Sequence, residues 1–329
     1  ALWNVLRGIA RQSAYLDFWN LGNSGINWTS MYRWDTDRRR VDTTLGFPLP
    51  GSINVVIGGT WRNERWDLSP ALHHGTCVET CFDYRATGWR IDASHIPHYR
   101  LEVGGGMDYI NRSAHGRLPS TLAVDGRNTG RLRFRTSVRL ADGVYQNRLH
   151  LETFVARKSV LSDFSYAGGT AELTNRIARS KDARNVFEWS IKGGHARGQL
   201  PVEDYFVLGL DTHPDNLLRG HTVADHGRYG LGPAGTDFAL GNFTFSRRIV
   251  TVPMFNSFNL PYVIVKATAF MDSARMWDRT RIFPTTKLLV DTGGGLRFET
   301  PTAAFNLVYG RGLREHQNVF FGYVERRLW

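Results

Sequence analysis

Tyr262-Val263-Ile264-Val265-Lys266-Ala267-Thr268-Ala269-Phe270-Met271-Asp272 repeats with a period of two. Successive side chains of a strand point to opposite faces. Val263, Val265, Ala267, Ala269 and Met271 therefore share an apolar face, while Lys266, Thr268, Phe270 and Asp272 share the other. The same alternation recurs upstream. In residues 52–62, Ile53, Val55, Ile57 and Trp61 oppose Ser52, Asn54, Thr60 and Arg62. In residues 26–34, Ile26, Trp28, Tyr32 and Trp34 oppose Asn27, Thr29 and Arg33. Residues 97–109 read as one strand, with Tyr99, Leu101, Val103, Met107 and Tyr109 opposite His98, Arg100, Glu102 and Asp108. Residues 131–140 set Leu132, Phe134 and Val138 against Arg131, Arg133, Arg135 and Arg139, and residues 148–158 continue the pattern. Turn signals separate these runs: Pro50–Gly51, Asn128–Gly130 and Asp142–Gly143.

Charged residues on the second face of nearly every run argue against a β-sandwich and for strands that meet lipid on one side and a hydrated lumen on the other. Hydrophobic residues are 42% of the 329 and charged residues 22%. No run approaches the roughly 18–20 apolar residues of a transmembrane helix. The 10 Trp, 12 Tyr and 19 Phe suit an interfacial aromatic girdle. The 34 Gly and 12 Pro are scattered without period, which excludes collagen and low-complexity repeats. The fold expectation is all-β, a transmembrane antiparallel barrel over 12–329, preceded by a linker or short helix over 1–11. No signal peptide precedes Ala1, so a mature or truncated chain is expected.

The net charge is +11. Arginine is spread along alternating strands rather than gathered in one patch, so a basic lumen and contacts to lipopolysaccharide phosphates are preferred to nucleic acid. Cys77 and Cys81 in Cys-Val-Glu-Thr-Cys read as a loop disulfide in an oxidising compartment, with inert thiols as the next reading. A metal site with His73 and His74 comes last, because zinc motifs bring two separated ligand pairs. No metal or cofactor is expected. The triplet Gly104–Gly106 reads as tight strand packing. Gly-x-Ser-x-Gly, His-Glu-x-x-His and phosphate-loop patterns are absent, so no enzyme is expected.

The second half carries ordered motifs. Leu217-Leu218-Arg219-Gly220-His221 precedes Gly232-Pro233-Ala234-Gly235 and a strand over 238–248. Phe270-Met271-Asp272-Ser273-Ala274 follows, then Gly293-Gly294-Gly295-Leu296-Arg297-Phe298-Glu299-Thr300-Pro301 and a C-terminus with Phe321, Tyr323 and Trp329. From about Tyr205 onward this resembles the BamA/TamA/two-partner-secretion superfamily of outer-membrane barrels, the bacterial surface antigen family. The resemblance implies sixteen strands and a loop, here about 211–236, folded into the lumen. Arg219, Gly220 and His221 would dock that loop onto Phe270 and Asp272. Gly232, Pro233, Gly235, Thr244, Arg297 and Glu299 would support it, and Phe321, Tyr323 and Trp329 would be the assembly signal. The physics agrees, since a confined Arg needs a carboxylate partner. The bland alternative is one ordinary lumenal ion pair, and Arg297 with Glu299 reads that way.

The match has departures. His221 replaces an aromatic, Ala274 a Gly and Thr244 an inward Glu, and Gly322 lies farther from the end than usual. The family's periplasmic POTRA domains have no room before residue 12, so they are expected to be cut away or missing. The resemblance implies a protein-insertion or translocation pore with a lateral gate between a first strand near 14–21 and a last near 317–325. Its partners would be outer-membrane lipid, lipopolysaccharide and an unfolded or secreted polypeptide. A secretion channel for one partner polypeptide, or an anchoring subunit of a larger outer-membrane assembly, are the other readings.

Overall fold

The computed structural model describes residues 13–72, 81–116, 122, 126–178, 183–209, 216–222, 228–229, 232–253, 262–300 and 303–326. The expected linker over 1–11, together with Cys77, His73, His74 and Trp329, lies outside them. The first ten strands are β1 (Ser13–Leu21), β2 (Ile26–Asp35), β3 (Arg38–Leu49), β4 (Ile53–Asp67), β5 (Cys81–His98), β6 (Leu101–Gly116), β7 (Asn128–Ala141), β8 (Tyr145–Ala156), β9 (Tyr166–Ile177) and β10 (Asn185–Gly198). Three two-residue strands follow: β11 (Phe206–Val207), β12 (Arg228–Tyr229) and β13 (Ala234–Gly235). The chain closes with β14 (Asp237–Pro253), β15 (Tyr262–Trp277), β16 (Leu289–Glu299), β17 (Ala303–Gly312) and β18 (Asn318–Arg326).

The long strands form one antiparallel meander, β1 to β10 and then β14 to β18. The sheet has sixteen strands, the number expected, but its sixteenth member is β12, a piece of loop that pairs in parallel with β4. The long strands hold 9 to 18 residues, enough to cross a bilayer when tilted. No described helix is long and apolar enough to cross a membrane, which leaves crossing by strands open.

The side-chain distribution inverts that of a soluble protein. Leu132, Phe134, Ile191, Met271 and Phe320 face outward, Phe320 with 71% of its surface exposed. Arg38, Glu64, Asp92, Asp108, Arg112 and Lys266 are buried on the inward face. So many exposed apolar side chains in water would forgo about 1.5–3 kcal/mol of burial each; lipid removes that penalty. The phase read from residues 262–272 holds: Met271 points out, while Phe270 and Asp272 are buried within.

Connections differ between the two ends of the barrel. One end is joined mainly by short turns, at 22–25, 50–52, 99–100, 142–144 and 300–302. The other carries the long connections 68–80, 117–127, 157–165, 199–236 and 278–288. Gly51 and Ser52 both take positive φ, 77° and 59°, as a tight primed hairpin turn requires. At the long-connection end, Trp66, Phe82, Tyr84, Phe164, Leu200 and Phe283 belong to one hydrophobic cluster.

Two local expectations fail. Residues 97–109 are not one strand, because the chain reverses at Tyr99–Arg100 between β5 and β6. Alternation continues across a two-residue turn, so periodicity alone does not reveal it. Asn128–Gly130 is not a turn but the start of β7. There Gly130 admits a neighbour: an added Cβ would lie 2.9 Å from Leu161 Cβ and 3.0 Å from the Leu161 carbonyl oxygen. The Gly104–Gly106 triplet does lie inside β6. A Cβ on Gly106 would come within 2.5 Å of the Ile91 carbonyl oxygen, the tight strand packing expected.

Candidate functional site

Between β10 and β14, the described stretches 199–209, 216–222 and 232–236 are held against the wall at two places. The tip is Leu217-Leu218-Arg219-Gly220-His221. Leu218 is fully buried among Leu208, Phe238, Leu240, Met276 and Leu289. Ala274 packs in that same cluster. Leu217 joins Phe270, Val308 and Tyr323. These two leucines bring the next three residues against the wall.

Arg219 uses nearly all of its donors. Its backbone N and Nε donate to Asp272 Oδ2 at 3.0 and 2.8 Å, and Nη2 donates to Asp272 Oδ1 at 2.6 Å. Nη1 donates to Thr244 Oγ1 at 2.8 Å, and Nη2 also reaches the Phe243 carbonyl oxygen at 3.1 Å. The guanidinium lies 4.0 Å from the Phe270 ring centroid, a cation–π contact. Asn242 Nδ2 donates to Asp272 Oδ1 at 2.8 Å and to the Leu217 carbonyl oxygen at 3.1 Å. Asp272 has no exposed surface and is saturated.

A second carboxylate shares the load, and motif reading missed it. Asp291 sits directly across the β15–β16 ladder from Asp272 and is equally buried. Like charges opposed in this way repel. The tip inserts between them: Gly220 N donates to Asp291 Oδ2 at 2.6 Å and His221 N at 3.0 Å, while His221 Nδ1 pairs with Oδ1. His221 Nε2 lies 3.3 Å from Glu315 in the β17–β18 turn. Burial works against a charged imidazole here, but the Asp291 hydrogen bond and the charges of Asp291 and Glu315 outweigh it and raise the His221 pKa. An added Cβ on Gly220 would lie 2.7 Å from both the Arg311 carbonyl carbon and Asp291 Cγ, so only glycine fits.

The base of the same connection is held with the charges reversed. Glu203 and Asp204 occupy a 3₁₀ turn, Val202–Asp204. Arg112 Nη2 of β6 lies 2.7 Å from Glu203. Arg131 Nη1 of β7 donates to Asp204 at 2.9 Å while holding Asp108 at 2.6 Å, and the Tyr166 hydroxyl also donates to Asp204. Burial pushes the Glu203 carboxyl above its ordinary range despite Arg112. Gly232, Pro233 and Gly235 close the base: β11 pairs with β13, and Leu208 N donates to the Pro233 carbonyl oxygen at 3.0 Å.

The remaining candidates lie elsewhere. Arg297 pairs with Glu299 at 2.8 Å, and Glu299 also binds Lys266 at 2.7 Å, forming a lumenal triad. Phe321 and Tyr323 stack at 5.6 Å beside the Leu217 cluster. They therefore face inward, and Phe320 takes the outer face. Cys81 is disulfide-bonded. Among the described residues no cluster suits a metal ion.

No protein-family model and no curated protein matches the sequence. Solved structures match its fold. BamA from Haemophilus ducreyi lacking POTRA domains 1-3 superposes with a TM-score of 0.68 at 10% identity, covering 95% of this chain and 66% of that one. CdiB from Escherichia coli superposes with a TM-score of 0.67 at 11% identity, covering 96% of this chain and 57% of that one. The chain thus spans about two thirds of the first and over half of the second.

Proposed function

From a chain with the barrel fold of BamA and CdiB, we propose a bacterial outer-membrane protein that inserts or translocates polypeptide, with its route at the lateral seam rather than through the lumen. The observation that carries this reading is the double fastening of residues 199–236, by Arg219 and His221 at the tip and by Glu203 and Asp204 at the base. Stretches pinned to the inner wall at both places crowd the lumen, which leaves the ends of the strand order for a client.

The mechanism asks for no catalytic side chain. Unpaired backbone groups in hydrocarbon cost several kcal/mol each, and a strand edge supplies partners to an incoming strand. The test is a set of cysteine pairs, one member in 13–21 and the other in 318–323, in a chain with Cys77 and Cys81 replaced. Proteoliposomes bearing the oxidised pairs should fail to insert an unfolded outer-membrane barrel client, and reduction should restore insertion. A locked seam that still inserts the client contradicts the reading. Loss of transport of a soluble polypeptide only when residue 219 is fastened to the wall would favour a secretion channel.

A further inference from the structure

Arg157, Lys158 and Arg197 stand on the outer surface at the long-connection end, where the apolar band stops. Cross-strand register places Val155, Ala167 and Arg197 in one row. Val155 is an exposed residue of the lipid-facing surface, so Arg197 shares that face and Arg157 is the next outward position along the chain. All three cations are exposed, and among the described residues none forms an ion pair. They border an open cleft of about 600 Å³ that Ser159 and Ser165 also line. Ser165 Oγ accepts from Lys158 N at 3.1 Å, which leaves its own hydrogen free to donate into the cleft.

The connection carrying two of these cations is built to hold its shape. Arg157 bridges to Val160 and Leu161. Asp163 Oδ2 accepts from the backbone N of Arg127 and of Asn128, each at 2.7 Å. Asp163, the nearby acid, is thereby committed to backbone donors. Val160 and Leu161 remain 51% and 59% exposed, and Leu161 takes φ +53°, uncommon for a bulky side chain. Val155 and Ala167 line the same cleft as the three cations, so charge and grease stand together. A free anion uses only the first; a lipid uses both.

We propose that this cleft binds the phosphorylated glucosamine head of lipid A, the glycolipid of the outer leaflet, with Arg157, Lys158 and Arg197 on its phosphates and Val155 and Ala167, on the apolar-band side, against its acyl chains. Guanidinium and ammonium groups suit phosphate oxygens, and barrels of this kind turn their long connections toward that leaflet. The inference rests on the outer-membrane reading above.

The test is native mass spectrometry of the detergent-purified chain with diphosphoryl lipid A, phosphatidylethanolamine or inorganic phosphate. The parent chain should retain diphosphoryl lipid A, with phosphate failing to displace it. The triple variant Arg157→Ser, Lys158→Ser, Arg197→Ser should bind it at least about tenfold more weakly, the loss of roughly one charge-assisted contact or more. Arg100→Ser with Arg139→Ser, at the short-turn end, should bind as the parent does. Unchanged affinity in the triple variant overturns the site, and displacement by phosphate at equal concentration overturns the lipid in favour of an ion. Flotation of the parent with phospholipid vesicles separates the two claims: a chain that fails to float contradicts the membrane reading, whereas one that floats and binds unchanged contradicts only this cleft.

Discussion

The tip and the base of residues 199–236 solve one problem with opposite charges. The tip brings the cations Arg219 and His221 to carboxylates on β15 and β16. The base brings the carboxylates Glu203 and Asp204 to arginines on β6 and β7. Each end would meet like charge if the connection were reversed, so the pattern fixes orientation as well as attachment. The supporting chemistry also differs. Asp272 serves only the tip and its neighbour Asn242, whereas Arg131 divides itself between Asp204 and Asp108. The tip is a dedicated lock and the base a shared one.

The largest effect should separate these two. Asp272→Ala strands a buried arginine and should weaken tip docking by about 3–5 kcal/mol. Asp204→Ala leaves Arg131 with Asp108 and should cost about 1–3 kcal/mol. Denaturant midpoints for protease accessibility of residues 199–236 measure both, and equal losses would break the comparison. Gly220→Ala should cost about 1–3 kcal/mol in the same assay, because its Cβ meets backbone rather than a movable side chain. Thr244→Val removes one of the bonds to Arg219 and should cost about 1 kcal/mol.

The last effect sharpens the contrast through pH. A His221 pKa raised on docking means that the folded state holds the proton more tightly than the free loop does. That contribution is complete below the ordinary imidazole value, near 6.5, and fades as pH rises through the raised one. The protection factors of the tip amides, taken relative to the base-catalysed exchange of an open chain, should therefore fall toward alkaline pH. His221→Phe, which removes the titratable ring, should flatten that dependence; an unchanged dependence would assign it to another group.

Much of the fold was legible because alternation is a local signal. Residues 262–272 fixed their own phase, and the inward placement of Phe270 and Asp272 followed. The Arg219–Asp272 contact was legible because motif order and strand phase agreed. Asp291 carries no motif signal of its own, since its role depends on cross-strand register with Asp272, which is a property of pairing. The base anchor left no local mark: Glu203 and Asp204 stand in an ordinary Pro-Val-Glu-Asp-Tyr run, and Arg112 and Arg131 lie far away in sequence. Asn128–Gly130 misled because a glycine that admits a neighbouring backbone looks, in sequence, like one that turns the chain.

The tip Leu217–His221 rests on the inner wall beside β14. The most direct measurement is oxidative crosslinking of Leu217→Cys with Asn242→Cys, in a chain with Cys77 and Cys81 replaced and embedded in membranes. Asn242 reaches the Leu217 carbonyl oxygen at 3.1 Å. A rapid crosslink that Asp272→Ala suppresses is expected. A folded, heat-resistant barrel that gives no crosslink, or one that forms equally well without Asp272, would contradict that placement.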